Sequence, residues 1–198
     1  MVVFGITGGS GSGKTSVSKM LEKQGVHIID TDVIAHEIVE PNSECLNELV
    51  DYFGDSILND DKTLNRKKLA SIAFSDKQKT VALSNITHKY IRAEVVKDIN
   101  TTDAELVGID GAVIIGSNVE PLCEFIVSVI ADKQIRITRI KTRDNITDEQ
   151  AIQRINAQND DEFYKENSMY IIYNNGDIAQ LESDVVGLFN KIKGNSFE

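Results

Sequence analysis

The segment from Val2 to Leu21 decides the fold, and it reads VVFGITGGSGSGKTSVSKML. Its first part, Val2–Thr7, is a short run of apolar and β-branched residues, which is typical of a buried parallel strand. Glycines and serines fill Gly8–Gly13, and the apolar spacing within Lys14–Gln24 predicts a helix. A strand, a glycine-rich loop and a helix are therefore expected in direct succession.

The same segment contains a phosphate-binding pattern, because Gly8–Thr15 fits G-x-x-x-x-G-K-[ST]. Glycines let backbone N–H groups converge on phosphate oxygens, and the N-terminus of the helix adds partial positive charge. Lys14 can reach the β- and γ-phosphates of a nucleotide, and Thr15 offers a hydroxyl to Mg²⁺. The predicted triphosphate site comprises Gly11, Ser12, Gly13, Lys14, Thr15 and Ser16. The alternative is a glycine-rich turn that precedes Lys-Thr by chance.

A second strand follows this helix. Gly25 ends the helix, and Val26–Ile29 is another short apolar run. Strand, loop, helix and strand form a βαβ unit whose crossover should be right-handed. Further strands are predicted at Leu106–Asp110, Phe125–Ile130 and Tyr170–Tyr173, so the sequence indicates the α/β class.

The long segment between the second and third strands has helical character. From Val33 to about Asp103 no strong strand pattern occurs, and loops are expected near Pro41–Ser43 and Gly54–Thr63. Later helices are predicted at Asp132–Arg143, Thr147–Gln158 and Asp177–Lys193. The second of these begins with capping-box spacing. The tail Gly194–Glu198 is expected to be frayed.

Composition narrows the class of protein. The chain has 31 acidic and 21 basic residues, for a net charge of −10, which argues against general nucleic-acid binding. Its two cysteines, Cys45 and Cys123, are far apart and form neither a disulfide framework nor a zinc pattern. No apolar run is long enough to span a membrane, and Met1–Thr7 has no basic leader region. We therefore expect a cytoplasmic protein that binds neither nucleic acid nor membranes.

Two aspartates follow the second strand. Asp30 and Asp32 stand where open α/β sheets place their sites, beside the phosphate-binding loop. Alternate residues of an extended segment share a side, so both carboxylates are expected to face one cleft. The alternative is a solvated turn in which Asp32 caps a helix that starts near Val33.

The remaining motifs favour a small-molecule kinase over other triphosphate-binding proteins. The sequence has no guanine-reading Asn-Lys-x-Asp segment, and no glutamate follows Asp110 as in a motor or transporter ATPase. Planar guanidinium groups suit phosphate oxygens, and several arginines cluster in this otherwise acidic chain. They are Arg136, Arg139, Arg143 and Arg154, of which the first three have the spacing of one helical face. A solvated face paired with nearby acids is the alternative for this cluster.

Several further blocks carry a family resemblance. They are GITGGSGSGK at Gly5–Lys14, IDTDVIAH at Ile29–His36, VEP at Val39–Pro41, LNRKKL at Leu64–Leu69, FSD at Phe74–Asp76, ITHKYIR at Ile86–Arg92, Arg139 to Arg143, RINAQ at Arg154–Gln158 and NNG at Asn174–Gly176. Over nearly its whole length the chain resembles the dephospho-coenzyme A kinases. The Asp-x-Asp block followed by Ala-His, together with the Ile-Thr-His block, is much more specific than the loop.

The resemblance implies a P-loop NTPase fold of three α/β/α layers around a five-stranded parallel sheet. It implies a core formed by residues 1–32, 104–135 and 168–198, a helical acceptor-binding lobe at 33–103 and a helical lid at 136–167. The implied reaction transfers the γ-phosphoryl group of ATP, with Mg²⁺, to the ribose 3′-hydroxyl of dephospho-coenzyme A. That reaction is the last step of coenzyme A synthesis.

The resemblance also implies roles for individual residues. The catalytic set is Lys14, Asp32, Arg139 and Arg143, in which Asp32 accepts the proton of the 3′-hydroxyl and the arginines close over the transferring group. The metal set is Thr15, Asp30 and Asp110, and Asn175 joins the ATP-binding residues. The acceptor set is Thr7, Asp32, His88 and Arg92, although a structural role for His88 is the alternative.

One segment departs from the family pattern. Where the family has Asp-Val-Pro-Leu-Leu-Phe-Glu, this chain reads DGAVIIG from Asp110 to Gly116. The glutamate that ordinarily lies near the acceptor is thus Gly116, and Glu120 is a candidate to replace it. Two alternatives therefore stay open: another small-molecule kinase, such as a nucleoside or nucleotide kinase, and a nucleotide-binding homologue with impaired catalysis.

Overall fold

A computed structural model describes residues 1–195. Its strands are β1 (Val2–Thr7), β2 (His27–Asp30), β3 (Leu106–Asp110), β4 (Phe125–Ile130) and β5 (Tyr170–Tyr173). Its helices are α1 (Lys14–Lys23), α2 (Thr31–Glu37), α3 (Glu44–Phe53), α4 (Arg66–Ala73), α5 (Lys77–Thr101), α6 (Lys133–Asp144), α7 (Asp148–Asn156), α8 (Asp161–Glu166) and α9 (Ile178–Asn195). Short 3₁₀ turns lie at Asp55–Ile57 and Glu120–Leu122.

The five strands form one parallel sheet in the order β2-β3-β1-β4-β5. The predicted α/β class and five-stranded parallel sheet are confirmed. Four strands have the predicted bounds. Strand β2 is shifted by one residue, since it runs from His27 to Asp30 and was predicted at Val26–Ile29. Because parallel strands end at one edge, the register brings Ile6 and Asp30 to either side of Asp110. That edge carries the residues of the candidate site.

Apolar side chains of α1 and α9 cover one face of the sheet. Val17 and Leu21 of α1 are fully buried against strand residues such as Phe4. In α9 the apolar residues recur at helical spacing, and Leu181 and Val185 join the same core. Helix α8 packs against β4 on the opposite side, since its Tyr164 lines a pocket with Thr7, which alternates in β1 with Phe4 and Ile6 of this core. The sheet is therefore enclosed between helices, as an α/β/α arrangement requires.

The chain forms two compact units. The first comprises Met1–Asp30 and the chain from Thr102 onward, and so contains the whole sheet. The second is Thr31–Thr101 and contains helices α2 to α5. Within it α2, α3 and α4 pack against the long helix α5. None of the described helices is both long and apolar enough to cross a bilayer.

One local prediction was wrong, and one helix was missed. The chain after Asp30 is not extended, because α2 begins at Thr31 and so includes Asp32 in its first turn. Neither the shared-side argument for the two aspartates nor the capping alternative therefore describes this turn. Helix α8 was not predicted as a separate helix, although it lies within the helical lid that the resemblance implies at 136–167. The predicted fraying of Gly194–Glu198 can be compared only up to residue 195, where α9 ends, and the rest lies outside the described residues.

Candidate active site

The glycine-rich loop joins the end of β1 to the start of α1. Gly13 is the N-cap of α1 with φ 99°, a left-handed conformation, and no side chain within residues 1–195 caps this helix end. Backbone N–H groups of the first helical turn are thus not used by a cap, and the helix dipole favours an anion there. The Ser12 hydroxyl is buried without a hydrogen-bond partner among the described residues, as expected where a bound anion would complete the site.

Lys14 and Asp110 form an ion pair beside this loop. Asp110 ends β3 and is only 3% exposed. Asp30 ends the neighbouring strand β2, directly in register with Asp110. Three charged residues predicted for the site, Lys14, Asp30 and Asp110, therefore lie at the same edge of the sheet.

This edge has the donor chemistry for a magnesium ion. Between residues 1 and 195 no group of three or more His, Cys, Asp or Glu side chains is arranged to hold a metal. Mg²⁺, however, usually takes only one or two carboxylates and completes its shell with water and phosphate oxygens. Asp30, Asp110 and the Thr15 hydroxyl, in the first turn of α1, fit that requirement.

The carbonyl groups of the loop are held by side chains from distant parts of the chain. Arg139 of α6 donates from Nη1 to the carbonyl oxygens of Gly11 and Ser12, at 3.3 Å each. Asn174, just after β5, donates from Nδ2 to the Ser12 carbonyl at 2.7 Å and accepts from Arg139 at 3.2 Å. Asn174 is 6% exposed. The sequence predicts no role for Asn174 at the loop, although it belongs to the NNG block of the family resemblance and follows an apolar strand.

The arginine cluster does not act as one surface. Arg136 is 4% exposed and donates from Nε to the Ser10 carbonyl at 2.9 Å. Arg143 is mostly exposed and instead pairs with Asp144 at 2.7 and 2.9 Å. Arg154 pairs with the same carboxylate, and both hydrogen-bonded guanidinium groups lower the pKa of Asp144 to about 2. The predicted shared helical face thus separates into two arginines at the loop and one in an ion-pair network.

Asn175 lies beside the loop anchors but makes different contacts. Its Nδ2 donates to Asp132 Oδ1 at 2.8 Å, and its Oδ1 accepts from the Asp132 backbone N–H, also at 2.8 Å. This reciprocal pair ties the turn after β5 to the start of α6.

Thr7 lies at the end of β1 and is 1% exposed. It lines a pocket of about 190 Å³ together with Ala112, Val113, Ile115, Ala157, Gln158, Asn159, Phe163 and Tyr164. The wall after β3 is the segment that departs from the family pattern. There Gly116 has φ 80°, which disfavours a side chain, and its N–H donates to Glu120 Oε2 at 2.6 Å. Glu120 is therefore engaged with the backbone of its own loop.

The remaining predicted residues belong to the unit formed by Thr31–Thr101. Asp32 is exposed in the first turn of α2. His88 and Arg92 are half-buried on α5 and four residues apart, so they share one face of that helix. His88 Nδ1 lies 3.4 Å from the Ser84 hydroxyl, a contact that also suits a structural histidine.

Known proteins resemble this chain in sequence and in fold. The family model described as Dephospho-CoA kinase matches residues 2–180. A dephospho-CoA kinase of Lactobacillus johnsonii is 34% identical over 96% of this chain and 97% of its own length. The solved dephospho-CoA kinase of Campylobacter jejuni is 27% identical with a TM-score of 0.71, covering 98% of each chain. A crystal structure from Thermus thermophilus has 25% identity and a TM-score of 0.83, over 96% of this chain and 97% of the other.

These similarities extend over the loop, the sheet and the helical unit alike. The family model spans both compact units and includes the Asp-x-Asp block as well as the phosphate-binding pattern. By its sequence and its parallel P-loop sheet, the chain belongs to the dephospho-CoA kinase family.

Proposed function

We propose that this protein transfers the γ-phosphoryl group of ATP to the ribose 3′-hydroxyl of dephospho-coenzyme A. Membership of the family supports the pair of substrates. The observation that carries the chemistry is the placement of Lys14. It lies in the first turn of a helix that no side chain caps, beside Asp110 and next to the glycine-rich loop. A cation beside a helix N-terminus that no side chain caps suits the phosphates of a nucleotide.

In this proposal the loop binds the triphosphate. The nucleotide contacts are Gly11, Ser12, Gly13, Lys14, Thr15, Ser16 and Asn175. Lys14 leaves its ion pair with Asp110 for the phosphates, which carry more negative charge than one carboxylate. When bound, Mg²⁺ neutralises charge on the β- and γ-phosphates. Thr15, Asp30 and Asp110 would hold the ion and its water.

Asp32 is the proposed partner of the acceptor hydroxyl. An ordinary ionised carboxylate suffices, because phosphoryl transfer has a loose transition state that needs little help from a strong base. Asp32 accepts a hydrogen bond from the 3′-hydroxyl and takes its proton late. Thr7, His88 and Arg92 are the proposed contacts to the rest of dephospho-coenzyme A. The pocket that Thr7 lines supports this part of the proposal, because it leaves room for a ligand beside Thr7.

Arg139 and Arg143 are the proposed donors to the transferring phosphoryl group. Arg139 already reaches the loop, since its Nη1 contacts the Gly11 and Ser12 carbonyls. Arg143 would have to exchange its pair with Asp144 for the substrate. Such an exchange is consistent with a lid formed by residues 136–167, whose closure would also exclude water from the reaction.

The test of the function is an assay with purified protein, ATP, Mg²⁺ and dephospho-coenzyme A, analysed by mass for one added phosphate. We expect coenzyme A and ADP in equal amounts. Transfer to a nucleoside or nucleotide, but not to dephospho-coenzyme A, would instead identify another small-molecule kinase. ATP binding without transfer to any acceptor would support the alternative of a nucleotide-binding homologue with impaired catalysis.

The test of Asp32 is the substitution Asp32→Asn, which keeps the size of the side chain and removes its charge. We expect kcat to fall by at least about 100-fold, the lower end of general acid–base contributions. Asp51→Asn, at an exposed position of α3 in the same unit, is the matched control and should leave kcat unchanged. Near-normal turnover of Asp32→Asn would remove Asp32 from this role.

A further inference from the structure

The backbone of Ser10 is held on both sides by distant side chains. Its N–H donates to Oε1 of Gln158 at 2.8 Å, and its carbonyl accepts from Nε of Arg136 at 2.9 Å. Gln158 lies after α7 and Arg136 lies on α6, so two separate elements meet at one loop residue. The two gripping side chains are also joined, because Arg136 Nη2 lies 3.4 Å from Gln158 Oε1. We name this arrangement the Ser10 clamp, formed by Ser10, Arg136 and Gln158.

The clamp is rigid because its arginine is buried. Arg136 is 4% exposed, and Nη1 pairs with Asp161 at 3.4 Å. Its guanidinium group lies close against the loop, since a Cβ on Gly9 would stand 2.3 Å from Nη2. A buried guanidinium group whose nitrogens are all engaged has little freedom to reorient. Gln158 is half-buried and therefore more accessible than Arg136.

The clamp determines which way the loop peptides point. The C=O and N–H of a trans peptide point in opposite directions. Because Arg136 holds the Ser10 carbonyl, the N–H of Gly11 points away from that guanidinium group. The Ser10 N–H itself is occupied by Gln158 and so is withheld from a ligand. The same logic applies further along, where Asn174 and Arg139 hold the Ser12 carbonyl and turn the Gly13 N–H away from them.

We propose that Gln158 is a positioning residue for nucleotide binding, which acts through the Ser10 clamp and does not touch the nucleotide. Its side-chain oxygen fixes the Ser10 backbone, and the fixed peptide presents the Gly11 N–H to the phosphates. The ligand class, a nucleoside triphosphate, rests on the function proposed above. The required property of residue 158 is a hydrogen-bond acceptor at the position of Oε1.

Two substitutions separate this property from size and packing. Gln158→Met keeps the length of the side chain and removes the acceptor, whereas Gln158→Glu keeps an acceptor for both Ser10 and Arg136. Gln153→Met, at an exposed position of α7, is the control for the same chemical change. ATP binding is measured by calorimetry without any acceptor substrate, at a temperature where melting curves show each variant folded.

We expect Gln158→Met to weaken ATP binding by about 5- to 10-fold, the size of one or two lost hydrogen bonds. Gln158→Glu and Gln153→Met should stay within about twofold of the unchanged protein. In the full reaction Gln158→Met should raise KM for ATP and leave kcat nearly unchanged. A merely destabilised variant would instead show less active protein with an unchanged KM.

Equal ATP affinity of Gln158→Met and the unchanged protein would overturn the proposal. So would equal weakening in the Met and Glu variants, because the acceptor oxygen would then not be the property that matters. Both outcomes differ from a failure of the proposed function, in which the unchanged protein binds ATP but transfers no phosphate to dephospho-coenzyme A.

Discussion

At the scale of single residues, Gly13 shows why the loop tolerates so little change. Its φ of 99° is a conformation that side chains rarely adopt, and a Cβ would stand 2.0 Å from Nδ2 of Asn174. Asn174 would have to move and give up its 2.7 Å bond to the Ser12 carbonyl. We expect Gly13→Ala to lower ATP affinity by more than about 10-fold, since strain and a lost buried hydrogen bond add up. Calorimetric titration with ATP measures this.

Gly25 offers the matched control for that substitution. Its φ is 95°, but among the described residues no atom outside Gly25 and its two chain neighbours lies within 4 Å of the point that a Cβ would occupy. Gly25→Ala should therefore carry only the backbone strain, about 1–2 kcal/mol of unfolding free energy, and leave ATP affinity unchanged. If both variants bound ATP equally well, the contact between Gly13 and Asn174 would not be what constrains the loop.

Some site residues were predictable from the sequence, and others were not. Lys14 and its loop belong to one contiguous pattern whose chemistry is local, so spacing alone identified them. Asn174 and Gln158 contact the loop from 162 and 148 residues away along the chain. Their roles depend on how β5 and the segment after α7 return to the loop. The sequence predicts Arg136 as one of several arginines suited to phosphate oxygens. Its burial against Ser10, however, follows from that same tertiary arrangement.

At the scale of elements, apolar runs were the reliable signal. Strands β1, β3, β4 and β5 have the predicted bounds, because buried parallel strands are apolar on both faces. The capping box that starts α7 was likewise local, and Thr147 and Gln150 form it. Helix α8 escaped prediction because its six residues are too few for an apolar period. The local signs of its start were the Asp160 cap and the acidic residues Asp161 and Glu162 in its first turn.

The tie between α6 and α7 predicts a specific dependence on pH. Asp144 of α6 accepts from Arg143 and pairs with Arg154 of α7, and these partners lower its pKa from 3.8 to about 2. A pKa that is lower in the folded than in the unfolded state adds stability above about pH 4, and this is lost as the pH falls toward 2. Urea midpoints of the unchanged protein and Asp144→Asn should therefore differ near pH 7 and converge toward pH 2.

A control distinguishes this tie from general acid unfolding. Asp148→Asn removes another acid of the same region, which pairs with Lys141 of α6 at the surface. Ion pairs at the surface are screened by solvent and contribute little to stability. The urea midpoint of Asp148→Asn should therefore equal that of the unchanged protein at every pH. A constant gap for Asp144→Asn across the whole range would mean that its charge is not the stabilising property.

At the scale of the whole molecule, the chain has a net negative charge, yet it is expected to bind a negatively charged nucleotide. The net charge is −10, yet Lys14, Arg136 and Arg139 gather around one loop. A local cationic field can oppose the global one where the surrounding walls exclude water. Total charge therefore argues against nucleic-acid binding as an expectation but carries no information about the site. Only the fold, which brings α6 to the loop, concentrates these charges.

The division into two units predicts different responses of the two thiols to ATP. Cys45 lies in the unit Thr31–Thr101, and Cys123 lies in the unit that contains the loop. Burial raises the pKa of Cys45 to about 11 and that of Cys123 to about 12, so neither forms much thiolate near pH 8. Labelling by a thiol reagent should therefore be slow and should proceed mainly when the surrounding unit opens.

ATP at about 100 times its Kd stabilises the structure that binds it by about 2.7 kcal/mol. Opening around Cys123 should then become up to about 100-fold rarer, because this thiol shares a unit with the loop. Cys45 labelling should slow less, since the opening of its own unit need not release the triphosphate. Mass analysis of the labelled peptides with and without ATP gives both rates in one sample. An unchanged Cys123 rate, or equal slowing of both thiols, would contradict this link between the loop and its unit.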